Sequence, residues 1–92
     1  MKYGYIRPVT INDSMNEQVK KIEIYTTNII EEIHANNKNR TELDVLLNLK
    51  LTANDILYIT DLCIIADSTK HLMEILNKLL TKGISLYVIN LN

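Results

Sequence analysis

The sequence predicts an α/β domain, with a mostly parallel four-stranded sheet flanked by three main helices in three layers. Three observations carry that expectation. Short β-favouring runs alternate with stretches of helical periodicity, in the order strand, helix, strand, helix, strand, helix, strand. Such alternation implies right-handed βαβ crossovers. The run Ile56-Leu57-Tyr58-Ile59 is apolar throughout, as a parallel strand covered on both faces requires. Finally, 92 residues that are 47% apolar, with two glycines and one proline, suit one compact core and exclude a collagenous, linker-like or disordered chain. Residues 1–92 are therefore expected to form a single domain.

Each element has its own signal. Lys2 to Arg7 is a β-favouring run with alternating Tyr3 and Tyr5, closed by Pro8, which has no N–H for a ladder. Ser14-Met15-Asn16-Glu17 has the spacing of a capping box, and Met15, Val19 and Ile22 line one face of a helix over about 13–24. After the polar break Thr26-Thr27-Asn28, Ile29 to Ile33 reads as a weaker second strand. Residues 34–39, HANNKN, are the most loop-like stretch. Asn39 with Glu42 repeats the capping spacing, and Leu43, Leu46, Leu47 and Lys50 or Leu51 keep helical spacing behind it. Asn54-Asp55 signals a turn into the strand at Ile56. Asp67 and Ser68 offer caps to a helix whose Leu72, Ile75, Leu76, Leu79 and Leu80 are expected to face the core. Gly83 ends it where φ > 0 suits glycine, and Ile84 to Leu91 is the last strand.

Ten basic against eleven acidic residues give a net charge of -1, so tight binding to a nucleic-acid backbone is not the default expectation. The single cysteine excludes an internal disulfide framework. His34, Cys63 and His71 lack metal-ligand spacing, so no metal and no cofactor is expected. Cys63 follows a buried strand and is expected to pack in the core. No apolar run approaches the roughly 20 residues of a membrane span, and MKYGYIRPVT lacks the apolar core of a signal peptide. A cytoplasmic protein with no membrane partner is the expectation.

In open α/β sheets, ligands gather beyond the carboxyl ends of the strands. The polar groups available there are Arg7, Thr10, Asp13, His34, Arg40, Asp61, Cys63 and Asp67. Arg7 and Arg40 could together hold a phosphate in bidentate fashion, or pair with nearby carboxylates instead.

With these residues in place, the chain resembles the N-terminal catalytic domain of the serine recombinases, the resolvase/invertase family. Tyr3-Gly4-Tyr5-Ile6-Arg7-Pro8-Val9-Thr10 is similar to a family opening of the form Y-G-Y-A-R-V-S-T. Gln18 matches a glutamine near the middle of the family's next helix, and Arg40-Thr41-Glu42-Leu43 matches an R-P-E-L segment. Leu51 to Leu76 aligns without a gap to a pattern close to L-K-P-G-D-T-L-V-V-T-K-L-D-R-L-G-R-S-T-R-D-L-L-E-I-L. The resemblance implies a resolvase-like fold and a chemistry of site-specific DNA strand exchange. In it a serine attacks a phosphodiester while arginines neutralise the developing phosphoryl charge.

The departures fall on that chemistry. The serine position is Val9, and the aspartate and two arginines of the D-R-L-G-R motif fall on Cys63, Ile64 and Asp67. Arg7, Gln18 and Arg40 alone remain of the implied polar cluster. Thr10 is the neighbouring hydroxyl, but one step along an extended segment turns it to the other side of the backbone. The expectation is a catalytically inactive recombinase-like domain acting through protein contacts. The alternatives are an unusual recombinase or nuclease using Thr10 with Arg7 and Arg40, or a functionless mobile-element fragment. The resemblance implies a long dimer-forming helix and a DNA-reading domain after this strand, and with the sequence stopping at Asn92 neither is expected here. DNA, weakly bound, or another recombinase-like protein are the partners expected, with a homodimer left open.

Overall fold

The computed structural model describes residues 1–8, 15–32, 41–66 and 68–91, with the backbone alone for Thr41 and Leu91. Four strands, β1 (Lys2–Ile6), β2 (Ile29–Glu31), β3 (Ile56–Ile59) and β4 (Ser85–Val88), form one sheet in the order β2-β1-β3-β4. Every pairing is parallel, with Gly4 opposite Ile29, Tyr3 opposite Leu57, and Leu57 opposite Leu86. The helices are α1 (Asn16–Ile22), α2 (Thr41–Val45), α3 (Leu62–Ile65) and α4 (Thr69–Lys82). A π-helical turn over Leu46–Lys50 continues α2, and a 3-10 turn over Ile89–Leu91 follows β4.

Strand alternation divides the apolar residues between two faces. Tyr5, Leu57 and Ile59 point to one side, where Leu43, Leu46, Leu47 and Leu51, then Ile64 and Ile65, then Ile75 and Leu79 close the main core. Ile6 and Tyr58 point to the other, against Ile22 of α1. On that second face Tyr25 stacks on Tyr58 with ring centroids 4.8 Å apart, and Tyr87 tilts against both. The result is three layers, as the alternation of elements implies. Gly4 explains how closely α1 approaches: a Cβ there would overlap Ile22 Cγ2, so only glycine lets the helix lie on the strand.

Several expectations need correction. The first strand ends at Ile6 rather than Arg7, and α1 is shorter than 13–24, with Met15 at its N-cap in the left-handed region (φ 63°) and no side-chain cap. Ser14 of the expected capping box lies outside the described residues, as does Asn39. The cap of α2 comes instead from Glu32, whose carboxylate accepts from the N–H groups of Glu42 (3.1 Å) and Leu43 (3.4 Å) and from the Tyr5 hydroxyl (3.3 Å). β2 stops at Glu31, and β4 spans only Ser85–Val88. The segment after β3 is helical, which sequence periodicity missed because α3 is a single turn. That turn buries Ile64 and Ile65 and leaves Cys63 exposed, not in the core. Leu80 is 78% exposed, because Ile75 and Leu79 already take the core line of α4 and Leu80 sits about 100° further round. Ser68 caps α4 by accepting from His71 N, and Gly83 ends it at φ 74°, as expected.

The turn into β3 holds a second buried carboxylate. Asp55 Oδ1 accepts from the Met1 ammonium at 2.9 Å, and Oδ2 accepts from Thr52 N at 2.9 Å and Thr52 Oγ1 at 3.2 Å. The hydrogen bond from the ammonium, then that from Thr52 N, hold this carboxyl below the usual carboxylate range. A carboxyl depressed in the folded state stabilises the fold above its unfolded pKa, near 3.9, and loses that contribution as pH falls through the lower folded value. Thermal midpoints measured from pH 7 to 2 are expected to fall along that acid limb. Asp55→Asn should lower the neutral-pH midpoint and flatten the limb; an unchanged limb in the variant would show that Asp55 does not drive it.

Candidate functional site

The carboxyl ends of β1 and β3 lie side by side at the centre of the sheet, where the chain's crossovers diverge to either side. Such a switch point is where open α/β sheets bind ligands. Arg7 leaves β1 at this edge and is 7% exposed. Its Nε donates to Ile64 O at 3.0 Å and its Nη2 to Cys63 O at 3.0 Å. The guanidinium thus reaches the carbonyls of α3, which a helix this short leaves largely without intrahelical partners.

Gln18 fixes the backbone of the same residue. Its Oε1 accepts from Arg7 N at 3.3 Å and its Nε2 donates to Arg7 O at 2.8 Å. The amide stands in for a neighbouring strand just where β1 runs out of ladder partners. The close seat of α1 over Gly4 brings it there. Arg7 and Gln18 are therefore brought together, through the Arg7 backbone rather than its guanidinium. Val9, Thr10, Asp13, His34, Arg40 and Asp67 lie outside the described residues.

The motif positions after β3 are described in part. Cys63 faces outward and helps line a hollow of about 300 Å³ with Leu62, Ala66, Ser68, Thr69 and Leu72. Ile64 is 1% exposed and belongs to the main core. Beside Gln18, on the α1 side of the edge, a smaller cleft is lined by Glu17, Lys21, Thr60, Asp61 and Asn90. Asn90 Nδ2 donates to both Asp61 oxygens at 3.1 Å, and Lys21 Nζ donates to Asn90 Oδ1 at 3.0 Å. Sequence reading placed Asp61 at this edge but missed Thr60, Asn90 and Glu32. Asn90 was hidden because Ile84 to Leu91 read as one strand. Glu32 acts ten and eleven residues away from the two N–H groups it caps, beyond the reach of any local capping pattern.

Among the described residues, no helix is long and apolar enough to cross a membrane. The fold is a parallel α/β domain with a polar edge at the switch point between β1 and β3. A family model described as "Resolvase, N terminal domain" matches residues 2–92, and the chain belongs to that family. It is 36% identical over 90 residues to a resolvase of Clostridium perfringens, covering 94% of this chain and 47% of the relative. It is 33% identical over 87 residues to the transposon Tn1546 resolvase of Enterococcus faecium, covering 92% and 45%. The chain thus spans about half the length of the curated relatives it matches.

Proposed function

We propose that this chain is a resolvase-family domain in which strand cleavage has been lost, and that it acts in the cytoplasm through protein contacts. In this reading residues 1–92 are one resolvase-like domain, a pseudoenzyme derived from a mobile element. Its partner is another recombinase-like protein, and any contact with DNA is weak. The observation that carries the reading is Val9 at the nucleophile position, since valine has no atom that can attack phosphorus. Two structural facts support it. Ile64, at a motif-arginine position, is buried in apolar surroundings and offers no charge to a phosphate. Arg7 already donates to two carbonyls, so an anion shared between Arg7 and Arg40 must compete with α3 for the guanidinium.

Supercoiled DNA bearing recombination sites should stay intact when incubated with the protein, and denaturing gels should show no covalent protein–DNA adduct. Val9→Ser alone should leave that result unchanged, because each missing transition-state charge contact is worth about 3–4 kcal/mol. An adduct formed by the native chain and abolished by Thr10→Ala would overturn the reading in favour of catalysis by Thr10 with Arg7 and Arg40.

A further inference from the structure

The opposite end of the sheet from Arg7 is built around the first nitrogen of the chain. Met1 O accepts from Ile56 N at 3.0 Å, which adds one bond to the β1–β3 ladder and fixes the first residue beside the turn. That places the α-ammonium against Asp55 Oδ1 at 2.9 Å, with Asp55 buried and Met1 itself 72% exposed. Among the described residues the ammonium is the one cation paired with this carboxylate. Asp55 is also the point from which three strands start. Its carboxylate holds the head of β1, its backbone leads into β3, and its carbonyl accepts from Ser85 N of β4 at 3.0 Å. Asn54, just before it, sits at φ 74°, a left-handed conformation that the surrounding bonds must sustain.

We propose that the α-amino nitrogen of Met1 is a modification site, and that an N-acyl group on it, formyl or acetyl, loosens the shared start of β1, β3 and β4. Acylation, like a peptide bond to any preceding residue, turns a cation with several donors into a neutral amide with one N–H. One hydrogen bond to Asp55 can survive that change, but the charge that compensates a buried carboxylate cannot. Thr52 N and Thr52 Oγ1 stay on Oδ2, so the carboxylate remains desolvated while its counter-charge is gone. Removing a formyl group restores the pair. Water adds across the formamide C–N bond, formate leaves, and the freed amine takes up the proton and becomes the ammonium. For a chain begun on formylmethionine, that hydrolysis is the step that completes this corner of the fold. The site does not rest on the loss of strand cleavage proposed above.

Chemical ligation at Cys63, the single cysteine, joins synthetic segments 1–62 and 63–92 into the full 92-residue chain with a free, formylated or acetylated N-terminus. Urea midpoints of the three chains read the effect. Both acyl chains should show an unfolding constant about tenfold above that of the free chain, the scale of one hydrogen bond to a charged group. Treatment with a peptide deformylase should return the formyl chain to the free midpoint and leave the acetyl chain unchanged. In Asp55→Asn the same acyl groups should change the constant less than about twofold, because no buried charge is left to compensate. Thr52→Val, which keeps the ion pair, should retain the acyl effect. The Ile56 and Ser85 amides, which donate to Met1 O and Asp55 O, should exchange faster in the acyl chains. If the acyl chains fail to fold, acylated Asp55→Asn should still fold as its free form does; failure there too would assign the effect to bulk and overturn the inference. Equal midpoints for the free, formyl and acetyl chains, or an acyl effect that persists in full in Asp55→Asn, would overturn it as well.

Discussion

Ile64→Arg, which restores the arginine that the recombinase pattern places here, is expected to unfold the domain or to cost it at least about 4 kcal/mol. Ile64 is 1% exposed within the main core, beside Ile65 from α3, Leu57 and Ile59 from β3, and Ile75 and Leu79 from α4. A guanidinium there loses its hydration with no carboxylate to replace it. It also adds a second cation near Arg7, whose Nε already lies on the Ile64 carbonyl. Overpacking adds a further cost of about 1–3 kcal/mol. Domains of this kind are stable by only about 5–15 kcal/mol, so the change takes much of the total. Ile64→Val, which keeps shape and polarity, should cost about 0.5–1.5 kcal/mol. Urea midpoints of the three proteins test this. If the arginine variant unfolds within about 1 kcal/mol of the parent, its head reaches solvent, and the position is able to present charge to a phosphate after all.

That result would bear on function as well as stability. In an active recombinase domain of the kind the resemblance implies, this position carries charge to the reacting phosphate. Here it carries an apolar side chain inward, and the core has closed over it. On the proposed reading, one substitution is expected not to restore cleavage, because valine at position 9 offers no nucleophile and charge at position 64 reopens the core.

The same residues show where sequence reading succeeds. The succession of strands and helices and the parallel pairing were legible because the apolar pattern is two-sided: Ile56 to Ile59 alternates between both cores, and so do Tyr5 and Ile6. Local signals with a direct mechanism also held, such as Ser68 at the start of α4 and Gly83 at its end. What failed was anything decided by tertiary partners. Leu80 has helical spacing but lies on the solvent side of Leu79. Cys63 follows a buried strand, yet a one-turn helix rotates it outward. Glu32 sits inside the weak strand read over Ile29 to Ile33, where nothing local marks its role, because that role lies in reaching Tyr5 and the start of α2 across the fold. The candidate site divides in the same way. Arg7 and Gln18 were legible through the resemblance, but no pattern in the chain could reveal that Arg7 reaches two carbonyls of α3. That contact depends on a helix which periodicity could not see.

Arg7→Met should accordingly lower stability by about 2–5 kcal/mol, chiefly by leaving the Ile64 and Cys63 carbonyls with poor partners. Each buried acceptor that loses its donor costs about 1–3 kcal/mol, and methionine preserves most of the side-chain volume. Arg7→Lys should recover only part of this, because one ammonium on a flexible stem does not reproduce a planar fork aimed at two carbonyls. Gln18→Ala should be the milder change, since it removes the amide's two hydrogen bonds to the Arg7 backbone but leaves the guanidinium itself. Hydrogen exchange locates the effect. The amides of Ile64 and Ala66, which donate to Asp61 O and Leu62 O, should lose protection in Arg7→Met before those of β3 do. If Arg7→Met instead matches the parent within about 0.5 kcal/mol and α3 keeps its protection, the guanidinium is not holding the helix. It would then be available to an anion, and phosphate titration of the native chain should reveal a site that Arg7→Met lacks. A large stability loss with no phosphate affinity gives the opposite assignment. An arginine that the family resemblance links to a phosphate would then serve here to hold α3 against the sheet.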